Sequence, residues 1–250
     1  MWKYPDDDSS AVLTAKENIE SIRGAGSVLR LPERALVFFM SRGVDYLLET
    51  DTCRLLTEKL PRFLMGGPVY AIGDTLCFLD GGRGAPQAAD TVETLAALGV
   101  RELICVGMCG AFSPQLRSGD ILVPQCCFSE EGTSWHYYEH AEVFEPDARL
   151  YARLRGIPGS KTLPLVSTDG IYRQTYYKEQ LWREKGAAAV DMETSAVFSV
   201  ARCLGLAAAA VLMVSDCHPL YEGAPKWEWR MTGEMRRELF EKTMQVVLGE

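Results

Sequence analysis

Long apolar runs, Cys-x-x-Cys pairs and blocks of Lys and Arg are all missing from these 250 residues. No apolar stretch approaches the roughly 20 residues of a membrane span, so no membrane contact is expected. The chain has 26 Lys and Arg against 34 Asp and Glu, a net charge of −8. With that balance and no cationic block, nucleic acid and anionic membranes are not the expected partners. The eight cysteines lie mostly inside apolar runs, and none has the spacing of a structural zinc site. His140 and His218 have no neighbour at metal-ligand spacing, so neither a metal nor a cofactor is expected. The opening Met1-Trp-Lys-Tyr-Pro-Asp-Asp-Asp8 has no apolar signal segment, which points to a cytoplasmic protein. Repeats, low-complexity tracts and Pro/Ser-rich linkers are absent as well. The expectation is one domain over residues 1–250, with residues 1–34 as an N-terminal extension packing on it.

What is present reads as alternating strands and helices. Apolar or β-branched runs at 35–40, 69–72, 76–79, 102–106, 120–124, 162–167, 188–190 and 208–214 predict buried strands. Helical spacing covers 88–98, stopped by Gly99, and 194–204, stopped by Gly205. Residues 232–248 form an amphipathic closing helix. This alternation predicts an α/β fold: a single three-layer domain with a central mixed, largely parallel sheet flanked by helices. Such sheets bind ligands outside the carboxyl ends of their strands.

Three strand-end segments carry residues suited to chemistry. Asp80-Gly-Gly-Arg-Gly-Ala-Pro86 opens the helix at 88. Its glycines permit close backbone approach and its helix N-terminus favours an anion, but a ligand-free tight turn fits equally. Val106-Gly-Met-Cys-Gly-Ala111 reads as a bare loop after a strand, either lining a pocket or simply crossing between strands. In Val190-Asp-Met-Glu-Thr-Ser195, Asp191 suits a helix cap. Glu193 is either a first-turn residue or a carboxylate able to take both hydroxyls of a sugar. Asp216 ends the apolar run at 208–214. A carboxylate there must be paired or carry a raised pKa, which makes it a general-acid candidate.

Taken in order, Gly82-Arg-Gly-Ala-Pro86, Gly107-Met-Cys-Gly-Ala111, Gly119-Asp120, Glu131-Gly-Thr-Ser134 with His136, Val190-Asp-Met-Glu193 and Ser215-Asp216 resemble the nucleoside phosphorylase superfamily. That group includes purine nucleoside phosphorylases, uridine phosphorylases and methylthioadenosine nucleosidases. The resemblance covers about Ala35 to about Asp216. It implies cleavage of a nucleoside N-glycosidic bond, with phosphate as co-substrate, giving free base and ribose 1-phosphate. Glu193 and the Met192 backbone would hold the ribose hydroxyls. Asp216, oriented by Ser215, would assist the leaving purine, and Ile171 and Tyr172 would pack on the base. Phosphate would lie against Gly82, Gly84, Gly107 and Met108; where the pattern's own cation is missing, Arg42, Arg83 or Arg173 would have to replace it. It also implies a homo-oligomer, a dimer or a trimer of dimers.

The phosphate side departs from the family's pattern. Phe39-Met-Ser-Arg-Gly43 replaces a Gly-Asp-Pro loop, Cys105 stands where an arginine is expected, and Met108 replaces a hydroxyl residue. Losing a guanidinium fork and a hydroxyl weakens a phosphate grip. A nucleosidase using water and a non-catalytic nucleoside binder therefore stay open. The segment 219–229, with two tryptophans, would either cover the pocket or pack on the final helix.

Overall fold

The computed structural model describes residues 9–249 apart from 25, 27, 28 and 51. The opening acidic segment read above, residues 1–8, lies outside the described residues. In chain order the elements are α1 (Ala15–Arg23), β1 (Arg34–Phe38), α2 (Gly43–Thr50), β2 (Cys53–Thr57), β3 (Val69–Ile72), β4 (Leu76–Asp80), α3 (Ala85–Ala97), β5 (Glu102–Ala111) and β6 (Ile121–Leu122). Then come β7 (Cys127–Glu130), β8 (Val143–Phe144), α4 (Ala148–Leu154), β9 (Leu165–Thr168), α5 (Tyr176–Glu184), β10 (Ala189–Asp191), α6 (Thr194–Cys203), β11 (Ala207–Cys217) and α7 (Gly233–Leu248).

Period-2 alternation in the central strands builds two separate cores. Val37, Leu103, Cys105, Ala208 and Ala210 face one side, where Leu95 of α3, Val197 and Ala201 of α6, and Ile19 of α1 meet them. Leu36, Phe38, Ile104, Val106, Ala209 and Val211 face the other side, against Leu47 of α2, Leu150 of α4 and Phe240 of α7. The result is a three-layer α/β domain. Helix α1 is closed by a Thr14–Glu17 capping box and packs on α3.

The sheet is mixed. Strands β4, β1, β5 and β11 run parallel to their neighbours in that group, whereas β10 joins β5 antiparallel. Strand β5 is the fork. One edge pairs with β1 as far as Val106 and with β10 only from Gly110. Its other edge pairs with β11 throughout. Residues 107–109 thus have strand neighbours on the β11 side alone. A crevice opens there between the end of β1 and the end of β10, the kind of switch point where open α/β sheets take ligands.

This arrangement corrects two expectations from sequence. Gly107-Met-Cys-Gly110 is not a loop: β11 supplies a partner at every step, from Gly107 opposite Leu212 to Gly110 opposite Asp216, and keeps the segment extended. Likewise Ser215 and Asp216 lie inside β11 and do not merely follow it, with a bulge between Val214 and Asp216. A bulge re-aims the side chains beyond it.

Candidate functional site

The first wall of the crevice is the Gly loop between β4 and α3. Gly82 and Gly84 adopt φ of 88° and 81°, in the left-handed region open to glycine. Arg62, buried beneath the loop, donates to the Gly81 carbonyl at 2.9 Å. The loop's own amides are already engaged: Gly82 donates to Asp80 Oδ1 at 2.7 Å, Arg83 to Gln87 Oε1 at 2.6 Å and Gly84 to Glu193 Oε1 at 2.6 Å. An anion binding here would have to displace one of these acceptors. The Arg83 guanidinium is spent on Asp80, with contacts of 3.0 and 3.1 Å.

The second wall is the β10–α6 junction. Asp191 ends β10 and accepts from the Thr194 amide at 3.0 Å and from the Ser167 hydroxyl, so it satisfies the first free amide of α6, whose N-cap position is Glu193. Burial pushes its carboxyl up, and these donors pull it partly back. Met192 is half-buried, and Glu193 is only 8% exposed. Burial pushes the Glu193 carboxyl well above the ordinary range, and the nearby Asp191 charge adds to the rise. Glu193 makes no cap bond of its own; its side chain reaches across to Gly84. Behind this junction, buried Glu131 takes the hydroxyls of Ser134 and Ser195 and ties the turn at Thr133–His136 to α6. His136 itself is exposed.

Asp216, 5% exposed, stands opposite Gly110. The Ser215 hydroxyl lies against Asp216 Oδ1 and within 3.1 Å of the Cys109 carbonyl. Trp227 Nε1 donates to Asp216 Oδ2 at 2.6 Å, and His218 Nε2 lies 3.4 Å from the same oxygen. Burial pushes the Asp216 carboxyl up, but bonds from His218, Ser215 and Trp227 outweigh it and hold the group below the usual carboxylate range. Of the two outcomes open to this residue, pairing or protonation, the fold takes pairing. The tryptophan segment after β11 therefore touches the site through Trp227, whose ring is half-exposed beside Trp229.

Other residues singled out from sequence lie at varying distance from this centre. Met108 is half-buried on β5, and Cys105 is buried as a neutral thiol, its pKa pushed far up by burial and by the Asp191 and Glu193 charges. Arg42 has φ of 66° and borders a cavity of about 250 Å³ with Met40, Gly43 and Asp80. Ile171 and Tyr172 sit on a short turn, 53% and 93% exposed. Neither makes a side-chain hydrogen bond to Glu193 or Asp216 among the described residues. No group of three or more potential metal ligands occurs among the described residues.

Sequence reasoning weighed His218 only as a metal ligand and missed Glu179. His218 Nδ1 is 2.6 Å from Glu179 Oε1, joining β11 to α5. The available signal was the spacing of His218 two residues after Asp216, which puts both side chains on one face of an extended chain.

A strand-end crevice holding two buried carboxylates, one beside a Gly loop and one bonded to three donors, is the candidate site of this α/β domain. Residues 34–245 match the family described as the Phosphorylase superfamily, and the chain belongs to it. A guanosine phosphorylase of Halorubrum lacusprofundi is 32% identical over 147 residues, 57% of this chain and 61% of that protein. A uridine phosphorylase of Haemophilus influenzae is 28% identical over 162 residues, 57% of this chain and 64% of that protein. Both matches span less than two thirds of the relative's length. A purine nucleoside phosphorylase, DeoD-type, of Geobacillus kaustophilus is 26% identical over 177 residues, 68% and 75% of the two chains. The fold is that of purine nucleoside phosphorylase from Toxoplasma gondii, solved in complex with immucillin-H. Their TM-score is 0.71 at 21% identity, covering 88% of this chain and 90% of that one.

Proposed function

We propose that the protein is a nucleoside phosphorylase acting on a purine nucleoside. The observation that carries this reading is the placement of Glu193 and Asp216 at the ends of β10 and β11, on either side of the β5 fork. Family membership and the phosphorylase names of the relatives above support it. In the proposed reaction the C1′–N9 bond breaks and its electron pair leaves with the base. A phosphate oxygen bonds to C1′, and N7 of the base gains a proton. Glu193, with the Met192 backbone, grips the ribose 2′ and 3′ hydroxyls. Ligand hydroxyls would take over the role that the Gly84 amide has now. Asp216, steadied by Ser215, carries the proton to N7. Ile171 and Tyr172 pack on the base when it is bound. Phosphate lies between Arg42 and the backbone at Gly82, Gly84, Gly107 and Met108. Arg42 has no ion-pair partner among the described residues and is free to take the role of the missing family arginine.

One observation favours water over phosphate as the nucleophile. Every amide of the Gly loop from Gly82 to Gly84 is already taken, two of them by carboxylates, and Cys105 brings no charge. Base release from inosine or guanosine, measured with and without phosphate, separates phosphorolysis from hydrolysis. We further read the protein as a homo-oligomer. All eight cysteines are free, as suits a reducing cytoplasm.

A further inference from the structure

We propose that Glu179, His218 and Asp216 form one hydrogen-bonded relay, in which His218 orients Asp216 and hands it the proton that the leaving base takes. The inference rests on the nucleoside reading above and deepens it.

The geometry is that of an imidazole clamped between two carboxylates. Nδ1 faces Glu179 Oε1 at 2.6 Å and Nε2 faces Asp216 Oδ2 at 3.4 Å. Glu179 and Asp216 are both buried. The backbone of His218 is pinned as well, its amide donating to the Ala111 carbonyl at 2.7 Å. Room for the ring exists because residue 110 is glycine: a Cβ there would lie 2.5 Å from His218 Nε2. On the far side, Arg183 Nη1 lies 4.0 Å from Glu179 Oε2 and donates to the Phe112 carbonyl at 3.1 Å.

Charge accounts for the arrangement. Asp216 on its own has no proton to give at neutral pH, because its three donors outweigh burial and hold it ionised, below the usual carboxylate range. His218 is the complementary partner. Burial alone would lower its pKa, but Asp216 and Glu179 raise it to about 9, so it is imidazolium at neutral pH. The groups facing the ring are Glu179 from α5 and Asp216 from β11; Arg183 of α5 stands behind Glu179, and the Cys109 and Cys217 thiols lie near Asp216. Both thiols are pushed up by burial and stay neutral. Two anions and two cations therefore balance in the resting state.

In the transfer, the His218 Nε2–H bond breaks as an Asp216 O–H bond forms. That O–H bond then breaks as N7–H forms, while the C1′–N9 electron pair moves into the purine. Imidazole ends neutral, Asp216 ends as carboxylate and the base leaves neutral. Between these steps Asp216 and His218 are both neutral and Glu179 still balances Arg183; once N7 has taken the proton the cluster carries one net negative charge, which a proton from solvent returning to His218 cancels. His218 is a positioning residue in this scheme; Asp216 touches the base.

The test combines kinetics with a direct titration. Wild type, His218→Gln and Glu179→Gln are assayed across pH on inosine, and on p-nitrophenyl riboside, whose leaving group needs no proton. The relay predicts that His218→Gln lowers kcat on inosine about 10²- to 10⁴-fold, with KM little changed and p-nitrophenyl riboside cleavage kept. Glu179→Gln moves the alkaline limb of the inosine profile to lower pH. Equal losses on both substrates, or an unchanged inosine profile in an active enzyme, overturn it. NMR titration of the three histidines reads the clamp without activity. His218 is expected near 9 in wild type and lower by more than a unit in Glu179→Gln; an ordinary value near about 6.5 overturns the relay even if a variant folds poorly. A wild type that cleaves no nucleoside although His218 titrates near 9 refutes the nucleoside reading, and the proton transfer with it.

Discussion

Glu193 Oε1 accepts a hydrogen bond from the Gly84 amide at 2.6 Å, across 109 residues of sequence. The bond fastens the loop that opens α3 to the junction that opens α6, and it holds a carboxylate in a buried place. That carboxylate costs the fold stability, because burial and the charge of Asp191 both disfavour its ionised form.

Replacing Glu193 with Gln is therefore expected to raise stability while lowering activity. A carboxyl whose folded pKa exceeds its ordinary 4.5 binds an extra proton in the folded state between those two values, so stability falls as pH climbs through that window. Glu193→Gln should lose less Tm than wild type between about pH 5 and about pH 8, as read by thermal denaturation. Its kcat/KM should drop at least roughly tenfold, since hydrogen bonds to a charged group are worth about 1.5–3 kcal/mol. A variant that is both less stable at pH 8 and fully active would contradict the assignment.

Asp216→Asn should separate substrates by leaving group. Loss of about 10²- to 10⁴-fold is expected on inosine, against little change on p-nitrophenyl riboside. Initial rates on the two substrates decide it, and equal rates of mutant and parent on inosine would remove Asp216 from the mechanism.

Arg42 stands at the mouth of the cavity beside Met40 and Gly43, away from the packed cores. Arg42→Gln should raise the KM for phosphate by about tenfold or more, as expected for losing a charged hydrogen bond, and leave Tm nearly unchanged. Phosphate saturation curves at fixed nucleoside check this; an unaltered KM would place phosphate elsewhere.

Gly110→Ala should disturb the site from behind. The new Cβ would stand 2.5 Å from His218 Nε2 and 3.3 Å from Asp216 Oδ2, and overpacking of this kind costs about 1–3 kcal/mol. Adding His218→Ala should lower Tm by less than the sum of the two single losses, because the clash is then relieved, without recovering inosine cleavage. Thermal denaturation of the single and double variants reads the coupling, and additive Tm losses would show that the ring does not fill that space.

The central strands β1, β4 and β5 were legible because their apolar runs are short, mostly buried on both faces and bounded by polar turns; nearer the sheet edge, the run at 69–72 coincides with β3, where buried and half-buried residues alternate. Helices α3 and α6 were legible from apolar spacing and a terminal glycine. Strand β2, with no fully buried residue, and the polar helix α5 left no comparable pattern. Residues 107–111 read as a loop from their glycines, whereas extension there is imposed by β11, about a hundred residues downstream. Glu193 and Asp216 stood out as carboxylates in apolar surroundings. Glu179 did not: it meets His218 across 39 residues, and nothing local in α5 marks it as facing the site. Nor does sequence tell a paired carboxylate from a protonated one, which depends on donors such as Trp227 arriving from a separate segment.

The most direct measurement is the rate of base release from inosine and guanosine in phosphate-free buffer and in saturating phosphate, with the sugar product identified. Phosphorolysis predicts release that depends on phosphate and yields ribose 1-phosphate. Equal rates without phosphate, with free ribose as the product, would contradict it.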